Sequence, residues 1–128
     1  MTRDEVMLMT DVELRIKADE LLLPGNKIAW FCDRLARFYG DLDYDWLPDY
    51  PNDIAAAWGL FLRLIDMRDH CQIHTDNGAA CRCWDVRSSE DCFANEIVGE
   101  ANWEEDMTRP VCRAITRAFI LTMEANDD

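Results

Sequence analysis

The chain has 128 residues, 49% of them hydrophobic, and a formal net charge of −13. That is enough for one hydrophobic core and too little for two, so a single domain over 1–128 is expected and a disordered acidic tail is excluded. The acidity argues against direct contact with nucleic acid or anionic membrane, which rely on Lys and Arg, and no apolar run reaches the roughly 18–20 residues of a membrane span.

Met1-Thr2-Arg3-Asp4-Glu5 lacks a secretory core, so a cytoplasmic location and six reduced cysteines are expected. Residues 10–23 predict a helix, capped by Thr10 or Asp11 and ended by Pro24-Gly25. Residues 27–39 predict a second, because Ile28, Phe31, Cys32, Leu35 and Tyr39 recur at steps of three and four. Pro48 and Pro51 make 41–51 a loop. Asn52 is then expected to cap a helix from Asp53 to about Met67, burying Ile54, Ala57, Trp58, Phe61, Leu62 and Ile65.

From His70 the period switches. Residues 70–75 and 79–86 flank Asp76-Asn77-Gly78, and Asn-Gly between such runs signals a β-hairpin. A third strand is expected near 92–98, then an acidic loop over 99–106. The last helix is capped by Thr108, with Pro110 in its first turn and Val111, Ala114, Ile115, Ala118, Phe119 and Met123 facing inward. The sum is an α+β fold, a small antiparallel sheet packed with about four helices.

The negative charge is concentrated. Segments 41–53, 96–106 and 124–128 contain no Lys or Arg and hold Asp41, Asp43, Asp45, Asp49, Asp53, Glu96, Glu100, Glu104, Glu105, Asp106, Glu124, Asp127 and Asp128. Acids elsewhere are matched by bases, and clustered excess charge makes a field that selects cationic surfaces. In an extended chain Asp41, Asp43 and Asp45 repeat at about 6.6–6.8 Å, near two phosphate steps of a nucleic-acid strand. Tyr44 and Trp46 interleave them, and such aromatics anchor interfaces. The competing reading is a loop whose Tyr44 and Trp46 fold back on the core. The candidate binding set is Asp41, Asp43, Tyr44, Asp45, Trp46, Asp49, Glu100, Glu104, Glu105 and Asp106.

The hairpin offers a different chemistry. With Asn77-Gly78 as a two-residue turn, His74 pairs with Cys81 and Gln72 with Cys83, which puts His74, Cys81 and Cys83 on one face. With Cys92 from a neighbouring strand they form a candidate structural zinc set, against the plainer reading of buried core cysteines. Asp41, Asp43 and Asp45 begin like a calcium loop, but Trp46 stands at its glycine and Asn52 at its closing glutamate. No Gly-rich phosphate loop, nucleophile elbow, zincin or deaminase motif is present, so no catalytic residues are assigned and a non-enzyme is expected.

The stretch Pro48-Asp49-Tyr50-Pro51-Asn52-Asp53-Ile54-Ala55-Ala56-Ala57-Trp58 resembles the signature of the phage "ABA sandwich" domain family. Thr108-Arg109-Pro110-Val111-Cys112-Arg113-Ala114-Ile115 resembles that family's C-terminal helix, and 9–22 its N-terminal one. The related NinX-like phage proteins share the outline. The resemblance covers about half the chain, implies a small phage accessory protein, and carries over no catalytic residue. With the charge placement it leads to an expected inhibitor of host antiviral defence, an anti-CRISPR foremost, that occupies the basic nucleic-acid-binding surface of a defence protein or ribonucleoprotein in the host cytoplasm. The alternatives are a zinc- or small-molecule-binding module built on the 70–92 hairpin, or a regulator of a host or phage enzyme outside defence.

Overall fold

The computed structural model describes residues 2–40, 43–68, 70–84 and 97–126. Two helices open the chain, α1 (Arg3–Met7) and α2 (Asp11–Leu22). Thr10 begins α2 with a capping box, its hydroxyl accepting from the Glu13 amide while the Glu13 carboxylate accepts from the Thr10 amide. A first antiparallel sheet follows, β1 (Lys27–Phe31), β2 (Arg34–Phe38) and β3 (Tyr44–Trp46), in that spatial order. Helix α3 (Ile54–Met67) leads to a second, β4 (His70–His74), β5 (Ala79–Trp84) and β6 (Ile97–Ala101), and α4 (Thr108–Asn126) closes the chain. The α+β class stands, with four helices and two small antiparallel sheets among the described residues. No helix among them is long and apolar enough to cross a membrane.

The expected helix over 27–39 is instead the hairpin β1–β2, closed by Cys32 and Asp33 at φ 51° and 64°. Those left-handed values mark the tight hairpin turn that usually carries Asn-Gly. Its signal was hidden because Ile28, Phe31, Leu35 and Phe38 recur at helical steps of three and four, while apolar residues stand on both faces of β1 and β2 and show no clean alternation. The four observed helices therefore include the short α1 in place of the one expected at 27–39.

The core lies between α4 and the inner face of the second sheet. Ala114, Ile115, Ala118, Phe119 and Ile120 are buried there with Cys81 and Cys83, and α2 and α3 add Leu14, Ala18, Leu60 and Leu64. Each large side chain so buried contributes about 1.5–3 kcal/mol. Thr116 is also fully buried, and its hydroxyl donates to the Cys112 carbonyl at 2.8 Å. Gly99 in β6 is where sheet and helix meet most closely. A Cβ there would stand 2.2 Å from the Ala114 carbonyl oxygen and 2.3 Å from the Ala118 nitrogen.

Other expectations also need correction. Strand β3 lies inside the 41–51 stretch expected to be a loop, and Asp53 rather than Asn52 caps α3, its carboxylate accepting from the Ala55 amide. The inward side of α3 is Ala57, Leu60, Phe61 and Leu64, whereas Ile54, Trp58, Leu62 and Ile65 are about half exposed. The third strand is 97–101, so Glu100 belongs to a strand rather than a loop; residues 92–96 lie outside the described ones. The β4–β5 register is one residue off, with His74 opposite Ala80, Ile73 opposite Cys81 and Cys71 opposite Cys83. Gly78 sits beyond β4 at φ 117°, and a Cβ there would be 2.6 Å from the Ala101 carbonyl oxygen, so the turn is shaped by contact with β6 as well as by its own residues.

Candidate functional site

A one-residue slip sends every side chain of a strand to the other face. Cys81 and Cys83 therefore point inward with Cys71 and Ile73, while His70, Gln72 and His74 lie on the opposite face with Arg82 and Trp84. His74 contacts Gln72 at 2.9 Å, and His70 stacks on Trp84. A hydrogen bond with Cys81, together with burial, drives the Cys83 thiol far above its ordinary pKa. The expected set of His74, Cys81 and Cys83 is thus divided by the sheet, and Cys92 lies outside the described residues. Among the described residues no group of three His, Cys, Asp or Glu side chains is arranged to hold a metal ion.

The acidic segments meet at one end of α4. Asp11 accepts from Arg113 at 3.2 Å and 3.1 Å and from the Asn52 amide at 3.2 Å, and pairs with Arg109 at 3.5 Å. Arg113 donates on to Glu104 at 2.9 Å. Arg109 donates to Asn52 at 2.8 Å, and Asn52 to Asp49 at 3.0 Å. One continuous network therefore joins Asp49 to Glu104 and ties the 48–58 stretch to the 108–115 stretch. Arg15 anchors the strand-to-helix segment beside it, donating to the Leu47 carbonyl at 2.7 Å and lying 3.7 Å from Asp49.

Asp106 has a local task, accepting from the Thr108 amide at 2.9 Å as α4 begins. That backbone hydrogen bond, with the Thr108 side chain adding to it, holds the Asp106 carboxyl below the usual range. Burial works to raise Asp11, but its bonds to Arg113 and Asn52 and the charges of Arg113 and Arg109 carry it below the ordinary value. Burial, reinforced by the negative charges of Asp53 and Asp49, pushes the Cys112 thiol up to about 11. With Glu105 and Asp53 exposed beside them, the acids here outnumber Arg15, Arg109 and Arg113.

The remaining members of the expected set go elsewhere. Glu100 is on the outer face of the second sheet, opposite Ala80, and pairs with Arg3. Beside it a cavity of about 370 Å³ is lined by His74, Asp76, Gly78 and Asn102 among others. On the first sheet Asp45 is opposite Arg37, and the Tyr39 amide donates to the Asp43 carbonyl, so both aspartates share the face that turns toward α2. Asp45 accepts from the Tyr39 hydroxyl at 2.8 Å, which accepts from Arg37 at 2.7 Å, and Arg37 pairs with the fully buried Asp19. Asp41 lies outside the described residues.

Tyr44 and Trp46 occupy the other face, and neither joins the core. Their rings are 5.2 Å apart, and Phe31 lies 5.1 Å from Tyr44 and 6.1 Å from Trp46. Phe38 completes the cluster, and the Arg34 guanidinium covers Trp46 at 4.2 Å. Reading 27–39 as a helix concealed Phe31 and Arg34 as members of this surface. The alternation of β2 with β3 across the turn was the signal that could have found them.

The chain matches no family model, no curated protein and no solved structure.

Proposed function

We propose that the protein acts by binding a basic surface of another protein rather than by catalysis. The observation that carries this reading is the convergence of Asp49, Asp53, Glu104, Glu105 and Asp106, from two separate acidic segments, around the N-terminal end of α4. Acids gathered this way, partly held in place by Arg109 and Arg113, present an ordered field to a cationic partner and speed its encounter. The exposed rings of Phe31 and Tyr44, with the half-buried Trp46 beside them, supply anchors of the kind that dominate interface energies. Following the phage-family resemblance, the partner proposed is the nucleic-acid-binding surface of a host defence protein or ribonucleoprotein, an anti-CRISPR role in the host cytoplasm.

The test is capture from host lysate with the wild type and with Asp53→Asn, Glu105→Gln and Asp106→Asn combined, in which asparagine keeps the two bonds to backbone amides and the arginine-paired acids stay intact. The expected result is a nucleic-acid-handling partner retained by the wild type, weakened by salt and lost from the variant. Equal capture by both forms would falsify the acidic-surface reading. The cavity beside His74, Asp76 and Glu100 favours the second reading, a small-molecule module on the hairpin; a ligand-induced rise in melting temperature that His74→Ala abolishes is its expected signature.

A further inference from the structure

Three free thiols meet on the second sheet. Cys71, Cys81 and Cys83 stand on the inward face of β4 and β5, and the Cys83 thiol is in hydrogen-bond contact with both of the others. The acidic surface makes no use of them. The three pairs are not equivalent. Cys71 and Cys83 are directly opposed across the antiparallel ladder, where Cα atoms lie about 4.5 or about 5.5 Å apart. Both spacings fall within the roughly 4.4–6.8 Å that a disulfide bridges. Cys71 and Cys81 are diagonal neighbours, at about 7–8 Å. Cys81 and Cys83 point the same way from one strand, at about 6.6–6.8 Å. Disulfide Cβ atoms stand roughly 3.5–4.5 Å apart, and opposed Cβ atoms come to about 4.5–5.5 Å, so only the opposed pair is within reach. Strand β4 lies at the edge of its sheet, with β5 its one ladder partner among the described residues, so it is free to close the remaining gap.

The two sulfurs differ in access. Cys71 is partly exposed, whereas Cys83 is fully buried, so an oxidant from solvent meets Cys71 first. The Cys81 hydrogen bond and burial hold the Cys83 thiol far above its ordinary pKa, against the pull of the buried Arg68 guanidinium, so Cys71 supplies the first nucleophile. We propose that Cys71 and Cys83 form a modification site, oxidised by a hydroperoxide to a reversible disulfide. The Cys71 sulfur, as thiolate, attacks hydrogen peroxide; an S–O bond forms, the O–O bond breaks, and the departing hydroxide takes a proton from solvent to become water. The Cys83 sulfur then attacks the sulfenic sulfur of Cys71. The S–S bond forms, the S–O bond breaks, and hydroxide leaves as water with the Cys83 proton. Two electrons pass from the thiols to the peroxide, which ends as two waters. A bond of this kind at a partly exposed edge strand is reducible and regulatory rather than permanent. It closes a loop over 71–83 that includes His74, Asp76 and Gly78, so oxidation stiffens one wall of the cavity they line.

The test is hydrogen peroxide in slight excess over the reduced full chain, read by intact mass, by fragmentation of a digest and by thermal melting. The wild type is expected to lose two hydrogens, to carry a bond joining Cys71 to Cys83 and to melt about 5 °C or more higher. Dithiothreitol should restore the reduced mass and melting temperature. Cys71→Ser, at a partly exposed position, is expected to fold as the wild type by circular dichroism and to show neither the bond nor the rise. Cys83→Ser is expected to stop at the sulfenic acid of Cys71, which a cyclic diketone traps; should that buried change disturb folding, the wild type and Cys71→Ser decide. If Cys71 and Cys83 stay reduced at a peroxide dose that oxidises the exposed Cys32, or if the bond joins another pair, the proposal is overturned. Neither result bears on capture by the acidic surface.

Discussion

The two three-stranded sheets are built alike and held differently. The second has α4 against its inner face, where Ala79, Cys81, Cys83, Gly99 and Ala101 are buried. The first contributes no residue to the main core among the described residues. It buries Leu35, Ala36 and Leu47 and is fastened by a polar clasp, in which Arg37 donates to Asp19 at 2.8 Å and the Tyr50 hydroxyl donates to the same carboxylate at 2.7 Å. Burial and the bond to Asp19 push the Tyr50 hydroxyl far above its ordinary pKa, and the Asp19 bond raises Arg37. Backbone held by apolar packing tolerates no added atoms, whereas backbone held by a buried ion pair tolerates no missing partner. The first sheet thereby keeps one face open for Phe31, Tyr44 and Trp46.

The largest effect that would break this contrast is at the clasp. Asp19→Ala leaves the buried Arg37 charge uncompensated and is expected to cost about 3–5 kcal/mol in urea unfolding. Amide exchange should quicken in β1 and β2 well before β4 and β5; uniform quickening, or a loss below about 1 kcal/mol, would refute a local clasp. Next is Gly99→Ala, which forces β6 away from the α4 backbone and is expected to cost about 1–3 kcal/mol while sparing β1–β3. An unchanged midpoint would mean that the sheet-to-helix contact is looser than described.

Smaller still is Tyr44→Ala with Trp46→Ala. These rings pack within a surface cluster with Phe31, Phe38 and Arg34 rather than in the core, so the loss expected is about 0.5–1.5 kcal/mol per aromatic pair, with partner capture falling much further than stability. A stability loss matching that of Asp19→Ala would make them core residues after all. The smallest effect is that of pH. Asp11 and Asp106 have carboxyls below the ordinary range, so their stabilisation is fully present above about pH 4 and fades as pH falls through their lowered values. Asp11→Asn should flatten the acid side of the stability curve and leave the neutral side parallel to the wild type. An unchanged acid limb would mean that the Arg113 bonds are equally strong in both charge states.

Much of the framework was legible. Thr10 and Glu13 announced the start of α2, Pro110 the first turn of α4, and Ala114, Ile115 and Phe119 a buried helix face, because caps and periodicity act over one or two turns. The face of α3 was misjudged because residues on nearly all sides of that helix are apolar, so periodicity could not say which side turns inward. The β1–β2 turn lacked the glycine that would have announced it. The candidate site was legible as a list of acids and aromatics, yet the partition among them was not. Asp45 and Trp46 are neighbours in sequence and face opposite ways in the structure.

Sequence alone determined the charge, the α+β class, most helix limits and the presence of the 70–84 hairpin, since each depends on composition or on residues within a few positions. Tertiary structure alone decided the hairpin register, which Gly78 adjusts against β6, and with it the separation of His74 from Cys81 and Cys83. It also decided that Asp49 and Glu104 share one network, because the bonds through Asn52, Asp11 and Arg113 join residues far apart along the chain. Hydrogen-bond geometry across such separations exists only once α2, α3 and α4 have packed.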